Sequence, residues 1–136
     1  MTMTFTYDDG LNGTIDRHGI IGRVVCSWTA NGSGAATGTT AKIVGELIKG
    51  VTNPTDSPTD DYDITLTDED GVNLLGGSAD DLTDRDVTNS EAVYFNLTDG
   101  SAPIAAYPVV CGTIAVAVAS AGSAKSGVLT LYYRRR

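Results

Sequence analysis

Apolar and polar residues alternate at every second position in several stretches of this chain, and that period decides what it can become. Successive side chains of a strand point to opposite faces, so a period of two marks a sheet buried on one side, whereas a helix needs apolar residues three and four apart. Met3, Phe5 and Tyr7 alternate with Thr2, Thr4, Thr6 and Asp8. Ile20, Val24, Cys26 and Trp28 form an apolar face opposite Arg23, Ser27 and Thr29, with Trp28 as the expected core anchor. Tyr62, Ile64 and Leu66 alternate with Asp63, Thr65 and Thr67, and the turn residues Asp68-Glu69-Asp70-Gly71 follow. Val72–Leu75 is the expected hairpin partner. Ala92–Leu97, Val109–Ala119 and Gly127–Tyr133 complete the clear strands.

Other stretches carry mixed signals. Ala30–Thr40 is rich in Gly, Ser, Ala and Thr and reads as a flexible loop. In Thr39–Val51 the residues Ile43, Val44, Leu47, Ile48 and Val51 fit helical spacing, but Gly45 and Gly50 interrupt it and the β-branched content favours a strand. Ser78–Val87 holds the only plausible helical turn, with Ser78 as cap and Asp80 and Asp81 in the first turn. Turn signals every 8 to 12 residues predict an all-β sandwich or barrel of about seven or eight mostly antiparallel strands, with little or no helix. The 136 residues suffice for a single β domain, in which residues 1–10 read as an N-terminal strand arm and 134–136 as a basic C-terminal tail.

Composition narrows the function classes. Gly (16) is plentiful and charged residues make up only 19%, which disfavours a helical bundle. The longest apolar run, Ile104–Ser120, is interrupted by Pro108, Gly112 and Thr113, so no membrane span is expected. The first nine residues have neither a basic nor an apolar leader region, so a secretory signal is expected to be absent. The net charge is −8, and Asp56–Glu91 holds 12 acids against one base, Arg85. A surface so charged repels phosphates, and no nucleic-acid partner is expected.

No motif assembles catalytic chemistry, and the expectation is a non-enzymatic protein without cofactor or small-molecule substrate. Cys26 and Cys111 lack zinc-ligand spacing and read as two buried free thiols, a disulfide requiring that their strands be neighbours. The acidic turn departs from the EF-hand template, because with Gly71 at loop position six the first position is Leu66. Asp68 and Asp70 remain weak metal candidates beside the plainer reading of a solvated turn that guards a sheet edge. Gly32–Gly38 lacks both the sixth-position glycine of a dinucleotide loop and the lysine of a phosphate loop. The single histidine, His18, stands in a polar turn without a nucleophile in its motif.

The stretch Tyr62-Asp63-Ile64-Thr65-Leu66-Thr67-Asp68-Glu69-Asp70-Gly71-Val72-Asn73-Leu74-Leu75-Gly76-Gly77 resembles a phrase of small structural proteins from tailed bacteriophages. Val109–Thr113 and Ala121–Gly127 have the same character, so the resemblance covers about the last two-thirds of the chain. It implies a virion component made in the host bacterial cytoplasm, with capsid decoration or cementing as the leading expectation and a neck or tail part as the alternative. A carbohydrate- or ligand-binding β module is the rival from another class. The implied partners are copies of the chain itself, as a trimer or larger, and the major capsid or other virion proteins.

Interface candidates follow from apolar area in excess of one small core. Val109–Ala119 is apolar on both faces, which singles out Val109, Ala115 and Ala117. The arm contributes Phe5 and Tyr7, and the ending contributes Tyr132 and Tyr133. Arg134, Arg135 and Arg136 are expected to hold carboxylates of a neighbouring copy or shell, with a solvated tail as the plainer alternative.

Overall fold

A computed structural model describes residues 1–8, 21–59, 61–74, 82–85, 89–95 and 107–135. Within them lie ten strands: β1 (Thr2–Asp8), β2 (Ile21–Thr29), β3 (Ala36–Thr39), β4 (Ile43–Pro54), β5 (Tyr62–Thr67), β6 (Leu82–Arg85), β7 (Glu91–Tyr94), β8 (Val109–Gly112), β9 (Ala115–Ala119) and β10 (Ser126–Arg134). Six form one sheet in the order β1-β2-β10-β4-β7, with β8 also pairing with β4, and four form a second sheet in the order β3-β9-β5-β6. Every pairing is antiparallel. The result is a β-sandwich and not a closed barrel, with more strands than the sequence spacing suggested. Among the described residues no helix is long and apolar enough to cross a membrane.

The core fills the space between the sheets as period two requires. Val24, Cys26 and Trp28 of β2 and Leu129, Leu131 and Tyr133 of β10 point inward from the larger sheet. Tyr62, Ile64 and Leu66 of β5 and Val116 and Val118 of β9 meet them from the smaller one. Trp28 is the anchor that its position suggested: it is almost fully buried and its ring lies 5.6 Å from that of Tyr62. Glycines in the facing strand make room for the aromatics. Gly127 pairs with Trp28 and Gly22 with Tyr133, and a Cβ at either glycine would sit within 2.5 Å of the aromatic ring.

Several expectations are corrected. Val109–Ala119 is not one strand buried on both faces: β8 belongs to the larger sheet and β9 to the smaller, with the crossing at Thr113-Ile114. Each piece then needs only one covered side, so Val110, Val116 and Val118 are buried while Val109 and Cys111 are exposed. Ala30–Thr40 is not wholly loop, because Ala36–Thr39 pairs with β9. Thr39–Val51 is extended as expected, but divided between β3 and β4. The helical turn placed at Ser78–Val87 is overturned at Leu82–Arg85, which pairs with β5, and its flanks lie outside the described residues. The hairpin return at Val72–Leu75 shrinks to a single bridge, Thr67 to Asn73.

Both thiols are free, but only Cys26 is buried. Their strands are separated by β10 and β4, which removes the condition for a disulfide. His18 and the turns at 9–13 lie outside the described residues.

Candidate interaction face

The outward side of the larger sheet collects aromatic and cationic side chains by strand register. In β10 the inward residues are Leu129, Leu131 and Tyr133, which leaves Thr130, Tyr132 and Arg134 facing out. Tyr132 pairs with Arg23 of β2 on one side and Lys49 of β4 on the other, and Lys49 pairs with Tyr94 of β7. One row therefore crosses five strands as Asp8, Arg23, Tyr132, Lys49 and Tyr94. The Lys49 Nζ lies 4.9 Å from the Tyr132 ring centroid and 5.7 Å from that of Tyr94, within the range of cation–π attraction.

A neighbouring row runs Ile21, Arg134, Glu46 and Val109. A bulge in the β4–β10 pairing sets it: Tyr132 faces Lys49 but Tyr133 faces Leu47, so Ile48 is skipped and Glu46 and Lys49 share a side although three positions apart. Arg134 makes a charge-assisted hydrogen bond to Glu46 Oε2, and its guanidinium lies 5.7 Å from the centroid of the Tyr107 ring. The Glu46 carboxylate raises the Arg134 pKa, chiefly through that hydrogen bond. Gly45 beside this pair has φ 155° and lies so close to the Arg134 carbonyl that a Cβ would be 2.3 Å from its oxygen. Exposed apolar side chains frame the two rows: Tyr94 is 64% exposed, Val109 71%, and Val44 and Ile21 about half.

A cleft of about 120 Å³ lies at one end of the sandwich, between the acidic turn after β5 and β8. Asp68, Glu69 and Asp70 line it together with Val109–Thr113. Two of the three carboxylates accept backbone N–H groups: Asp68 Oδ1 those of Asp70 and Val72 within the turn, and Glu69 Oε1 that of Thr113 beyond it. Among the described residues no group of three or more His, Cys, Asp or Glu side chains is arranged to hold a metal ion. Asp68 and Asp70 therefore sit together as sequence spacing suggested, in a turn whose main observed work is its own geometry and the cover it gives to β8.

The remaining candidates are scattered. Tyr132, Arg134 and Val109 lie on the rows just described. Tyr133 does not: it is a core residue 7% exposed, because Leu129, Leu131 and Tyr133 share one phase of β10. Ala115 and Ala117 are half-buried on β9 of the other sheet. Phe5 packs against the core and over Gly38, and Tyr7 Oη accepts the Ala41 N–H, so the N-terminal arm is paired and held within its own chain. Arg134 is the last residue of β10 and is paired internally, which corrects its assignment to a free tail. Arg135 is half-buried with interactions of its own, and Arg136 lies outside the described residues.

Lys49, Tyr94, Tyr107 and Val44 were missed by sequence reasoning. The signal available was the polar phase of each strand, where a large aromatic or aliphatic side chain is out of place. Compared with known proteins, the chain matches no family model and no curated protein sequence.

Proposed function

We propose that this chain is a non-enzymatic structural protein of a tailed-bacteriophage virion, a capsid decoration or cement protein in the first instance and a neck or tail component in the second. It is made in the host cytoplasm and works in the assembled particle. The observation that supports this reading best is the outward face of the six-stranded sheet, where Tyr94, Val109, Val44 and Ile21 surround a cationic, tyrosine-rich centre. Several large exposed apolar side chains on one sheet face, interspersed with charges, fit a surface that meets other proteins, and aromatic residues and arginine are enriched where proteins meet. The phrase Tyr62–Gly77 supplies the virion context.

Copy number decides between the roles. Quantifying the chain in purified particles should give hundreds of copies for a decoration protein, while about six or twelve per ring would assign it to the neck or tail. Its absence from purified particles would overturn the reading. The row of Tyr132, Lys49 and Tyr94 favours one rival, a glycan-binding module, since exposed tyrosines stack on sugar rings. Saturable binding on a glycan panel, lost with Tyr94→Ala, would favour that rival.

A further inference from the structure

The smaller sheet and its loops carry a surface opposite in charge to the tyrosine face. Residues 56–74 hold seven acids, Asp56, Asp60, Asp61, Asp63, Asp68, Glu69 and Asp70, and no base. Their most prominent feature is the tight turn Asp68–Val72, closed by Gly71 N–H to the Asp68 carbonyl at 3.1 Å and by Asp68 N–H to the Val72 carbonyl at 2.9 Å. The Glu69 carboxylate folds back onto the Thr113 N–H, while the turn projects Asp70 and the 58% exposed Val72 outward. It is a small apolar knob flanked by carboxylates. On the tyrosine face the described side chains offer the converse at Lys49, which lies between two rings, while the Arg134 charge is offset by Glu46 and Arg23 stands in register with Asp8 of β1.

The geometry points to a head-to-tail contact in which the acidic turn Asp68–Val72 of one copy docks on the Tyr132–Lys49–Tyr94 row of the next. This rests on the structural reading above and names the partner of that face as a second copy of this chain. Charge complementarity between the acidic turn and Lys49 selects the occupant, and Val72 against the exposed Tyr94 ring would add apolar burial to an otherwise polar contact. A head-to-tail contact between two different patches is heterologous: each copy gives one turn and receives another, and the series closes into a ring or continues as a filament.

Sedimentation of the purified full chain tests this without any particle. The wild type should form species larger than a monomer at concentrations up to about 100 µM, and raising NaCl from about 50 to 500 mM should weaken them at least tenfold. Asp70→Lys, which spoils the turn, and Lys49→Ala/Tyr94→Ala, which spoils the face, should each raise the dissociation constant at least tenfold. Both change exposed or half-exposed positions, and an unchanged circular dichroism spectrum verifies the fold. Mixing the two variants is the decisive arm. Each keeps one intact half, so the mixture should form a dimer that grows no further, whereas each variant alone stays monomeric.

A wild type monomeric throughout that range, assembly insensitive to salt, or a mixture no more associated than its components would each overturn the contact. If the chain is monomeric in solution yet present on purified particles, the structural reading stands and only this inference fails.

Discussion

Glu69 Oε1 accepts the backbone N–H of Thr113 at 3.0 Å, across 44 positions of sequence. Thr113 is where the chain leaves the larger sheet for the smaller, so a side chain from the acidic turn clamps that crossing. Glu69→Ala should cost about 1 kcal/mol, as expected for an exposed hydrogen bond to a charged acceptor, read as a lower urea midpoint with unchanged slope. The Thr113 amide should also exchange faster with solvent. If both are unaltered, the clamp has no energetic role.

The pairing of core aromatics with glycines predicts overpacking on substitution. At Gly127 a Cβ would lie 2.5 Å from Trp28 Cζ2, and at Gly22 2.3 Å from Tyr133 Cζ. Both rings are closely packed and have little room to give, so Gly127→Ala and Gly22→Ala should each destabilise the fold by about 1 to 3 kcal/mol. Gly32→Ala is the control, because no atom lies within 4 Å of its added carbon and no loss is expected. Thermal unfolding of the three variants separates them.

The two thiols should differ sharply in reactivity. Cys111 is exposed, while burial pushes the Cys26 pKa up to about 12. A thiol reagent at neutral pH should modify Cys111 in the native protein and reach Cys26 only after unfolding. The raised pKa also sets a pH dependence. The folded chain holds the Cys26 proton where the unfolded chain, with an ordinary value near 9.0, releases it. The associated stability is fully present below about 9 and is lost as the pH rises toward 12. Cys26→Ala should flatten that decline in denaturant midpoints measured between pH 8 and 11.

Arg134 and Glu46 predict an effect on stability separate from assembly. Arg134→Ser removes the guanidinium that Glu46, only 18% exposed, holds and that lies beside the Tyr107 ring. Its unfolding midpoint should drop, by less at high salt, while Arg135→Ser leaves the Glu46 pair intact and serves as comparison. Equal midpoints for wild type and Arg134→Ser would show the pair to be energetically silent.

The strands legible in the sequence were those whose two faces differ in polarity. In β5 alternation identified both the element and its buried side, in β2 it placed Trp28 in the core, and in β10 it identified the element but not the side that buries Tyr133. It failed at Val109–Ala119 because the phase does not break there: Val110, Gly112, Ile114, Val116 and Val118 are all buried, on even positions, while the chain changes sheets beneath them. Local pattern records which side is covered and not which sheet covers it. Leu82–Arg85 carries helix-start residues on its N-terminal side, yet pairing with β5 overrides that propensity. The tyrosine face was hidden for another reason. Its rows arise from register between strands far apart in sequence and from the bulge at Ile48, neither of which has a local signature.

The N-terminal arm has one more consequence. Besides pairing with β2, it sends Met1 Sδ to the Thr37 N–H and Tyr7 Oη to the Ala41 N–H, along the border of the smaller sheet that β9 does not occupy. Amide groups on such a border are the template on which cross-β fibrils grow. Here that border is blocked by side chains and not by another strand, so a fibril could grow on β3 only after β1 had peeled from β2 and withdrawn both plugs. Protection of that one border is then set by the rate at which the seven residues of β1 detach, a kinetic safeguard distinct from the stability of the sandwich as a whole.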